Sequence, residues 1–296
     1  MTKYVVSGYI GFDNFGDEAI ASVLTKKLKV EGAESITLIS SNPSKTAELY
    51  GVKSCGMLDF IRPIMECNTL ISGGGSLLQD VTSIKSLIYY LGVIYTAMGF
   101  GKKVEIFAQG IGPINSKIGR FFTKFALKNA SKISVRDKKS QELLKSWGIN
   151  SELVKDPIFD IEIPQTEKKE IVGIQLRDFK GVNESFLNSL ADKIINGFSN
   201  KKFEIFSLQD SIDLNVCKQF EKILRSKGIE NVEILSNLSI NDVIEKISEL
   251  EILVAMRFHA NVIGIKAGVK TIAINYDPKV QKLAEEYNLE LIELHT

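Results

Sequence analysis

Residues 3–20 read KYVVSGYIGFDNFGDEAI, in which an apolar run, a glycine-rich loop and the start of a helical pattern follow one another directly. The apolar run predicts a strand over Lys3–Tyr9, and the pattern after the loop predicts a helix over Asp17–Lys29. Glycines between them permit positive φ angles and a close approach of the backbone to a ligand. The stretch is therefore typical of the first strand, loop and helix of a parallel α/β sheet.

The same alternation of short apolar runs and longer helical patterns continues along the chain. Further strands are predicted at Ser35–Ser40, Thr69–Ser72, Val104–Gln109, Lys132–Val135, Glu170–Leu176, Phe203–Ser207, Val232–Leu235, Ile252–Ala255 and Lys270–Ile274. The alternation pauses at the polar, proline-marked segment 156–170, the best candidate for a linker. We therefore expect an α/β protein of two Rossmann-like domains, residues 1–160 and 161–296, with a ligand cleft between them.

Composition excludes several classes of protein. The 296 residues are 44% hydrophobic and 25% charged, with a formal net charge of +1, so a globular core is expected and a nucleic-acid partner is not. The three cysteines, Cys55, Cys67 and Cys217, form no CxxC pair, which indicates reduced thiols in a cytoplasmic protein. The two histidines, His259 and His295, have no cluster of metal-type ligands around them in the sequence, so no metal site is expected.

The sequence shows no sign of a targeting or membrane-spanning segment. The chain enters its first predicted strand without a charged and apolar leader. Its most apolar later stretch, Leu87–Phe100, is too short for a comfortable membrane span. We expect a soluble cytoplasmic protein whose partner can lie at the inner face of the plasma membrane.

Three glycine-rich loops follow predicted strands at one edge of the first sheet. They are GYIGFDNFGDEAI at 8–20, GGGSLLQD at 73–80 and AQGIGP at 108–113. None has the spacing of a dinucleotide fingerprint or a Walker loop, and the first is equally compatible with a tight structural turn. Backbone N–H groups in such loops can bind anionic oxygens. The candidate binding residues are Gly11, Asp13, Asp17, Gly73, Gly74, Gly75, Gln79, Asp80, Gln109 and Gly110.

Polar motifs after three other predicted strands supply positive charge and a titratable group. Arg136 in SVRD can bind a phosphate or a carboxylate, although a surface ion pair explains it about as well. Arg257 and His259 lie together in RFHA, where the histidine is a natural general acid or base or a structural hydrogen-bond partner. Lys279 in YDPK lies near a predicted helix start, where an anionic partner or simple solvation accounts for it.

Taken together, these segments resemble the polysaccharide pyruvyl transferase family, and in particular its bacterial cell-surface anchoring (CsaB-like) branch. The matching segments are GYIGFDNFGDEAI, GGGSLLQDVTSIKSLIYYLGVI, AQGIGP, SVRD, DPIF, RFHA and YDPKV, in the order of the family. The resemblance implies a GT-B-like fold. Family members usually continue past the position of Leu291 with a further helical segment, so one is also expected of a complete member.

The resemblance also implies a reaction and its substrates. Phosphoenolpyruvate would be the donor, with no metal and no resident cofactor. The acceptor would be a lipid-linked, N-acetylmannosamine-containing precursor of a secondary cell wall polysaccharide at the cytoplasmic membrane face. The product would be a 4,6-linked pyruvyl ketal that serves in S-layer anchoring, with release of phosphate. Carried over residue by residue, the catalytic positions are Arg136, His259 and Lys279, and Arg257 binds the donor.

Two other classes of function remain compatible with the residues. A sugar-nucleotide glycosyltransferase of GT-B architecture would have the same strand-end loops. A non-catalytic glycan-binding module would share the fold but would not call for a cationic cluster, because neutral glycans carry no charge to neutralise.

Overall fold

The structure, a computed structural model, describes residues 2–294. The chain divides into two compact units, and the division falls between Ile161 and Glu162. Each unit contains one parallel sheet whose consecutive strands are connected mainly through helices. The α/β class predicted from the alternation of apolar runs and helical patterns is confirmed.

The first unit is a seven-stranded sheet of order β3-β2-β1-β4-β5-β6-β7. Its strands are β1 (Lys3–Ser7), β2 (Ser35–Ser40), β3 (Lys53–Gly56), β4 (Thr69–Gly73), β5 (Lys103–Gln109), β6 (Lys132–Val135) and β7 (Glu152–Leu153). Its helices are α1 (Phe15–Val30), α2 (Pro43–Tyr50), α3 (Ile61–Glu66), α4 (Ile84–Gly99), α5 (Lys117–Lys128) and α6 (Lys138–Ser146), followed by a 3-10 turn at Pro157–Asp160. The strand order reverses at β1 and β4, and ligands of such sheets bind outside the carboxyl ends of the strands at this point.

The second unit is a six-stranded sheet of order β10-β9-β8-β11-β12-β13. Its strands are β8 (Lys169–Gln175), β9 (Lys202–Phe206), β10 (Val232–Leu235), β11 (Leu250–Ala255), β12 (Lys270–Asn275) and β13 (Glu290–Glu293). Its helices are α7 (Glu184–Phe198), α8 (Asp210–Ser226), α9 (Ile240–Glu249), α10 (Phe258–Lys266) and α11 (Pro278–Tyr287). Here the strand order reverses between β8 and β11.

Central strands of both sheets are buried almost throughout, which explains why they read as continuous apolar runs in the sequence. Leu70 and Ile71 of β4 and Leu253 and Val254 of β11 are each at most 3% exposed. Strands covered on both faces gain from apolar side chains at every position. Each unit therefore has a hydrophobic core of its own.

The edge of each sheet contains elements that the sequence did not predict. In the first unit these are α2, β3 and α3, and in the second unit β13. Strand β3 has the sequence KSCG and β13 has ELIE, so neither carries a run of apolar residues. Strand β3 pairs in parallel with β2, and β13 pairs in parallel with β12. Backbone hydrogen bonds to this single neighbour hold each strand in place, and the sequence pattern does not reveal them.

The first part of the predicted linker is packed into the first unit. Asp156 is 6% exposed and Ile158 is fully buried. The 3-10 turn that contains Ile158 packs against α1. The proline at 157 therefore begins a buried turn, and only the segment after Ile161 leads into the second unit.

Within residues 2–294, no helix combines the length and the apolar character that crossing a bilayer requires. Over the same residues, no group of three or more His, Cys, Asp or Glu side chains is arranged to hold a metal ion.

Candidate functional site at the strand ends

The glycine-rich loops of the first unit are bonded to one another. The Gly74 N–H donates to the Phe107 carbonyl at 2.8 Å, and the Gly110 N–H donates to the Gly75 carbonyl at 2.9 Å. The sequence predicts that backbone N–H groups of these loops bind an anion. Two of those donors are already used to hold the loops after β4 and β5 together.

Two glycines in these loops are required by close packing of the protein itself. Gly11 has φ +83°, and a Cβ there would lie 2.1 Å from the Ser40 Oγ. Gly75 has φ +65°, and its Cβ would lie 2.6 Å from an Asp17 carboxylate oxygen. Any larger residue would be strained in φ and would clash as well. These contacts explain both glycines without a ligand.

Carboxylates gather around the first loop. Asp13 is exposed and forms an ion pair with Lys45 at 2.7 Å, whereas Asp17 is half-buried beside Gly75. Glu18, considered in the sequence only as a partner of the helix dipole, is buried. It accepts hydrogen bonds from the Gly11 N–H at 2.7 Å and from the Tyr50 hydroxyl. Burial raises the pKa of Glu18, and the hydrogen bond from Tyr50 opposes that rise.

The three polar candidates of the other two loops form hydrogen bonds within the first unit. The Gln109 amide is fully buried and donates to both the Ser72 carbonyl and its hydroxyl at 2.8 Å. Gln79 bonds back to Thr82. Asp80 accepts from the N–H groups of Asn115 and Ser116 at 2.8 and 2.7 Å, and these two bonds lower the pKa of Asp80. Gln109 thus joins β4 to β5, and Asp80 anchors the start of α5.

Arg136 is held by its own unit. Its Nη1 forms an ion pair with the buried Asp156 at 2.5 Å, and its Nη2 donates to the Ser76 hydroxyl at 3.1 Å. Asp137 caps α6 by accepting from the Ser140 N–H at 2.8 Å, as its position in the sequence suggested. The charge of Arg136 is therefore balanced by a carboxylate within hydrogen-bond distance.

Arg257 in the second unit is likewise paired and buried. Its Nη2 and Nε contact the two carboxylate oxygens of Asp213 at 2.7 and 2.9 Å, and its backbone N–H donates to the Gln175 side chain. Asp213 also accepts from the N–H groups of Leu208 and Gln209. Burial raises the pKa of Asp213, while the Arg257 guanidinium opposes that rise. Arg136 and Arg257 thus each have a buried aspartate partner within their own unit.

Arg177, at the end of β8, was not predicted as a site residue. It lies near Tyr276, whose pKa is raised by burial and lowered in part by the charges of Arg177 and Arg257. Among residues 2–294, nothing accepts a hydrogen bond from its buried Nε. The signal was present, because LRD at 176–178 repeats the strand-then-arginine pattern of VRD at 135–137.

His259 lies at the start of α10, in a place suited to anions. It is the second residue of the helix and half-buried, with its ring edge-to-face against Phe258 at 5.3 Å. The N-cap position is occupied by Arg257, which carries no acceptor for the N–H groups of the first turn. A helix start without an acceptor side chain favours an external anion.

Lys279 lies at the start of α11, after the neighbouring strand β12. The preceding Asp277 is the N-cap and accepts from the Lys279 backbone N–H at 2.8 Å. Its carboxylate moderates the conflict between a lysine and the positive end of the helix that the sequence indicated. Lys279 is half-buried.

Three of the cationic or titratable groups of the second unit therefore lie together along the edge of the sheet that is formed by the carboxyl ends of its strands. Arg177, His259 and Lys279 follow β8, β11 and β12, which are consecutive neighbours in the sheet. We refer to these three residues as the cationic edge. Arginine, lysine and helix N–H groups stabilise phosphate and carboxylate charge, and a histidine can transfer a proton. The corresponding edge of the first unit carries the carboxylates of Asp13 and Asp17.

Comparison of the sequence with models of known protein families gives one match. Residues 14–278 match the family model described as polysaccharide pyruvyl transferase. The resemblance noted from the sequence segments is therefore confirmed at the level of the family. No curated protein sequence matches the chain.

Solved structures with a similar fold include a UDP-GlcNAc 2-epimerase, a complex with UDP and a glycosyltransferase. The UDP-GlcNAc 2-epimerase from Methanocaldococcus jannaschii is 10% identical, with a TM-score of 0.68, over 100% of this chain and 89% of that one. The S. aureus MnaA–UDP co-structure is 10% identical, with a TM-score of 0.65, over 100% and 85%. A glycosyltransferase from Rickettsia africae is 13% identical, with a TM-score of 0.64, over 100% and 85%. At these identities the likeness concerns the fold, and it confirms the prediction of two Rossmann-like domains of the GT-B class.

Proposed function

This chain belongs to the polysaccharide pyruvyl transferase family and is therefore a transferase, and from that premise we propose that it moves pyruvate from phosphoenolpyruvate onto a cell-wall polysaccharide precursor. The acceptor in this proposal contains N-acetylmannosamine and is lipid-linked, as in the CsaB-like branch. The product is a 4,6-linked pyruvyl ketal with a role in S-layer anchoring.

The cationic edge is the observation that carries the proposal. Phosphoenolpyruvate has a phosphate and a carboxylate on adjacent positions of a three-carbon skeleton. Arg177 and Lys279 supply side-chain cations for these groups, and the start of α10 supplies backbone N–H donors. Arg257 has a structural role in this proposal, because it is bonded to Asp213 and thereby fixes the backbone between β11 and α10.

The proposed reaction needs no reactant other than phosphoenolpyruvate and the two hydroxyls of the acceptor. The methylene carbon of phosphoenolpyruvate gains a proton and becomes the methyl group, which leaves positive charge on the central carbon. One sugar hydroxyl adds to that carbon, the bond to the phosphate oxygen breaks, and the second hydroxyl adds in its place. The two hydroxyl protons leave with solvent or phosphate. Cations around the phosphate stabilise the charge that builds up as it departs.

His259 is the proposed proton donor. It adjoins Arg257 in sequence and lies in the first turn of α10, at the same edge as Arg177. Asp13 and Asp17, at the corresponding edge of the first unit, are proposed to accept protons or hydrogen bonds from sugar hydroxyls. Arg136, with Asp156 and Ser76, is proposed to set the shape of that loop edge. The reaction so written uses no metal and no resident cofactor.

A glycosyltransferase acting on a sugar nucleotide is the second candidate, because the Rickettsia africae glycosyltransferase shares the fold. It differs from the first in its donor. A nucleotide sugar presents a diphosphate, a ribose and a base, whereas phosphoenolpyruvate presents only two small anionic groups. The cationic edge is compatible with both donors, so a binding measurement is needed to distinguish the two candidate functions.

Isothermal titration of the protein with phosphoenolpyruvate, UDP-GlcNAc and UDP-glucose tests the proposal. We expect binding of phosphoenolpyruvate and none of the UDP-sugars at the same concentration. Arg177→Met should weaken phosphoenolpyruvate binding by about 10- to 100-fold, the effect of removing a charge-assisted hydrogen bond. Lys180→Met is the matched control, because Lys180 is exposed in the same loop after β8. Binding of UDP-sugars alone, or equal affinity in the two variants, would contradict the assignment.

A further inference from the structure

Helix α5 has three faces of different character. At 3.6 residues per turn, its large apolar side chains, its small side chains and its cations form separate stripes. The outward apolar stripe consists of Ile118, Phe121, Phe122 and Phe125, which are 71%, 65%, 46% and 53% exposed. The inward face consists of Gly119, Thr123, Ala126 and Leu127, all buried. The basic stripe consists of Lys117, Arg120, Lys124 and Lys128.

This arrangement reverses the usual orientation of an amphipathic helix. The small residues face the protein, where Gly119 fits closely against Leu87 of α4, and the phenylalanines face outward. The exposed rings are packed together, since the Phe121 and Phe122 rings are 5.5 Å apart and Tyr95 of α4 contacts Phe122 at 6.1 Å. Single exposed apolar residues are ordinary, but a contiguous patch on a helix indicates a binding surface.

Neighbouring residues on α4 enlarge the apolar surface. Ile84 and Ile88 of α4, the helix against which α5 packs, are 43% and 63% exposed. Most of the surface is therefore presented by two packed helices and not by a single turn.

The positive charge of α5 and its flanking segments indicates what this surface binds. Residues 106–136 contain six lysines and arginines and no aspartate or glutamate, although the whole chain has a net charge of only +1. The four cations of α5 lie in a stripe between the phenylalanines and the buried face. A second copy of the chain seated on α5 would bring two such stripes together, and their repulsion opposes a self-interface. Anionic phosphate headgroups above an apolar layer complement both stripes at once.

We propose that α5 docks the protein on a lipid bilayer that contains anionic lipids, with its apolar stripe in the acyl boundary and its basic stripe among the headgroups. The start of α5 is fixed by Asp80, which accepts from the Asn115 and Ser116 N–H groups. The docking helix is thereby tied to the glycine-rich loops of the first unit. The inference goes beyond the proposed function and does not depend on which donor or sugar is used.

Vesicle flotation with the full-length protein tests the inference. The probes are vesicles of phosphatidylcholine alone and vesicles of phosphatidylcholine mixed with anionic phosphatidylglycerol. We expect binding to the mixed vesicles that falls as salt is raised. Phe121→Gln/Phe125→Gln should abolish it, and Lys124→Glu/Lys128→Glu should weaken it by at least about 25-fold, at about fivefold for each cation removed.

Matched controls and oligomeric state complete the test. Leu58→Gln/Met65→Gln removes two exposed apolar side chains elsewhere, and Lys218→Glu/Lys222→Glu makes the same charge change on α8; both should bind like wild type. Circular dichroism establishes that each variant is folded. Binding that is unaffected by the α5 variants would overturn the inference. So would a dimer in sedimentation velocity that Phe121→Gln/Phe125→Gln converts to monomer, because the stripe would then be an interface between copies.

Discussion

Two arginines follow neighbouring strands of the second sheet, and their surroundings give them different tasks. Arg257 is 7% exposed and bonded to Asp213, whereas Arg177 has a buried Nε without an acceptor among residues 2–294. A buried arginine whose partner is a buried carboxylate serves the fold first. An arginine with unused donor capacity at a sheet edge is available to a substrate.

Arg257→Met should therefore destabilise the second unit. The substitution leaves the Asp213 carboxylate buried without its cation, and breaking a buried pair in this way costs about 3–5 kcal/mol of unfolding free energy. Urea unfolding followed by fluorescence and circular dichroism measures the loss. Arg62→Met is the control, since the exposed Arg62 pairs with Glu66 one helical turn away and its loss should leave the stability near wild type. Stability near wild type with lost donor binding would instead make Arg257 a direct ligand.

His259→Gln should lower kcat far more than it changes KM for phosphoenolpyruvate. Arg177, Lys279 and the start of α10 already supply donors for the anion, so the distinctive contribution of His259 is a labile proton. General acids typically contribute about 10²- to 10⁴-fold in rate. Steady-state kinetics with phosphate release as the readout gives both constants. A raised KM with kcat near wild type would make His259 a donor ligand, and Asp13 and Asp17 would be the next groups to test.

Site residues were predictable where the signal is local. Arg136 directly follows β6, and His259 and Lys279 lie four residues beyond the ends of β11 and β12; a search for such strand-end residues would also have found Arg177. Their partners were not predictable, because Asp213 precedes Arg257 by 44 positions and Asp156 follows Arg136 by 20. Which arginine is neutralised depends on how distant segments pack, and no spacing in a single sequence encodes that.

At the scale of elements, the loop after β1 is held by the helix that follows it. Glu18 of α1 accepts from the Gly11 N–H and the Tyr50 hydroxyl, which joins the loop to α1 and α2. The sequence predicted the loop and the helix start, because glycine content and helical periodicity are local. It did not reveal that Glu18 points inward, since α2 was not predicted and the tyrosine that bonds Glu18 lies on it.

Glu18→Gln should change the pH dependence of stability. Burial raises the pKa of Glu18 above the ordinary value of a glutamate, so the folded state binds this proton more readily than the unfolded state. The resulting stabilisation is complete below the unfolded pKa and is lost as pH rises through the folded pKa. Glutamine keeps an acceptor for Gly11 but does not titrate. The unfolding free energy of the variant relative to wild type should therefore rise as pH increases above about 4.3, the ordinary pKa of a glutamate.

Chemical denaturation at a series of pH values measures this difference. Glu48→Gln, on the exposed face of α2, is the matched control and should show a flat difference. A difference for Glu18→Gln that falls with rising pH would mean that hydrogen bonding from Tyr50 and Gly11 outweighs burial.

At the scale of the whole molecule, the chain shares its two-sheet α/β fold with a UDP-GlcNAc 2-epimerase and with a protein solved in complex with UDP, yet its family is one of pyruvyl transferases. Fold alone does not determine the donor. The fold class was predictable because strand and helix periods alternate along nearly the whole chain, and the family because its segments occur in order. The acceptor was not, because no motif with sugar-specific contacts is present in the sequence.

A transfer assay tests the central claim most directly. The protein is incubated with phosphoenolpyruvate and a synthetic lipid-linked acceptor containing N-acetylmannosamine, with and without EDTA, and the acceptor is analysed by mass spectrometry. The account predicts that the acceptor gains the mass of phosphoenolpyruvate less phosphoric acid, with one phosphate released for each transfer and no effect of EDTA. An unmodified acceptor, together with a glycosylated product when a UDP-sugar replaces phosphoenolpyruvate, would contradict it.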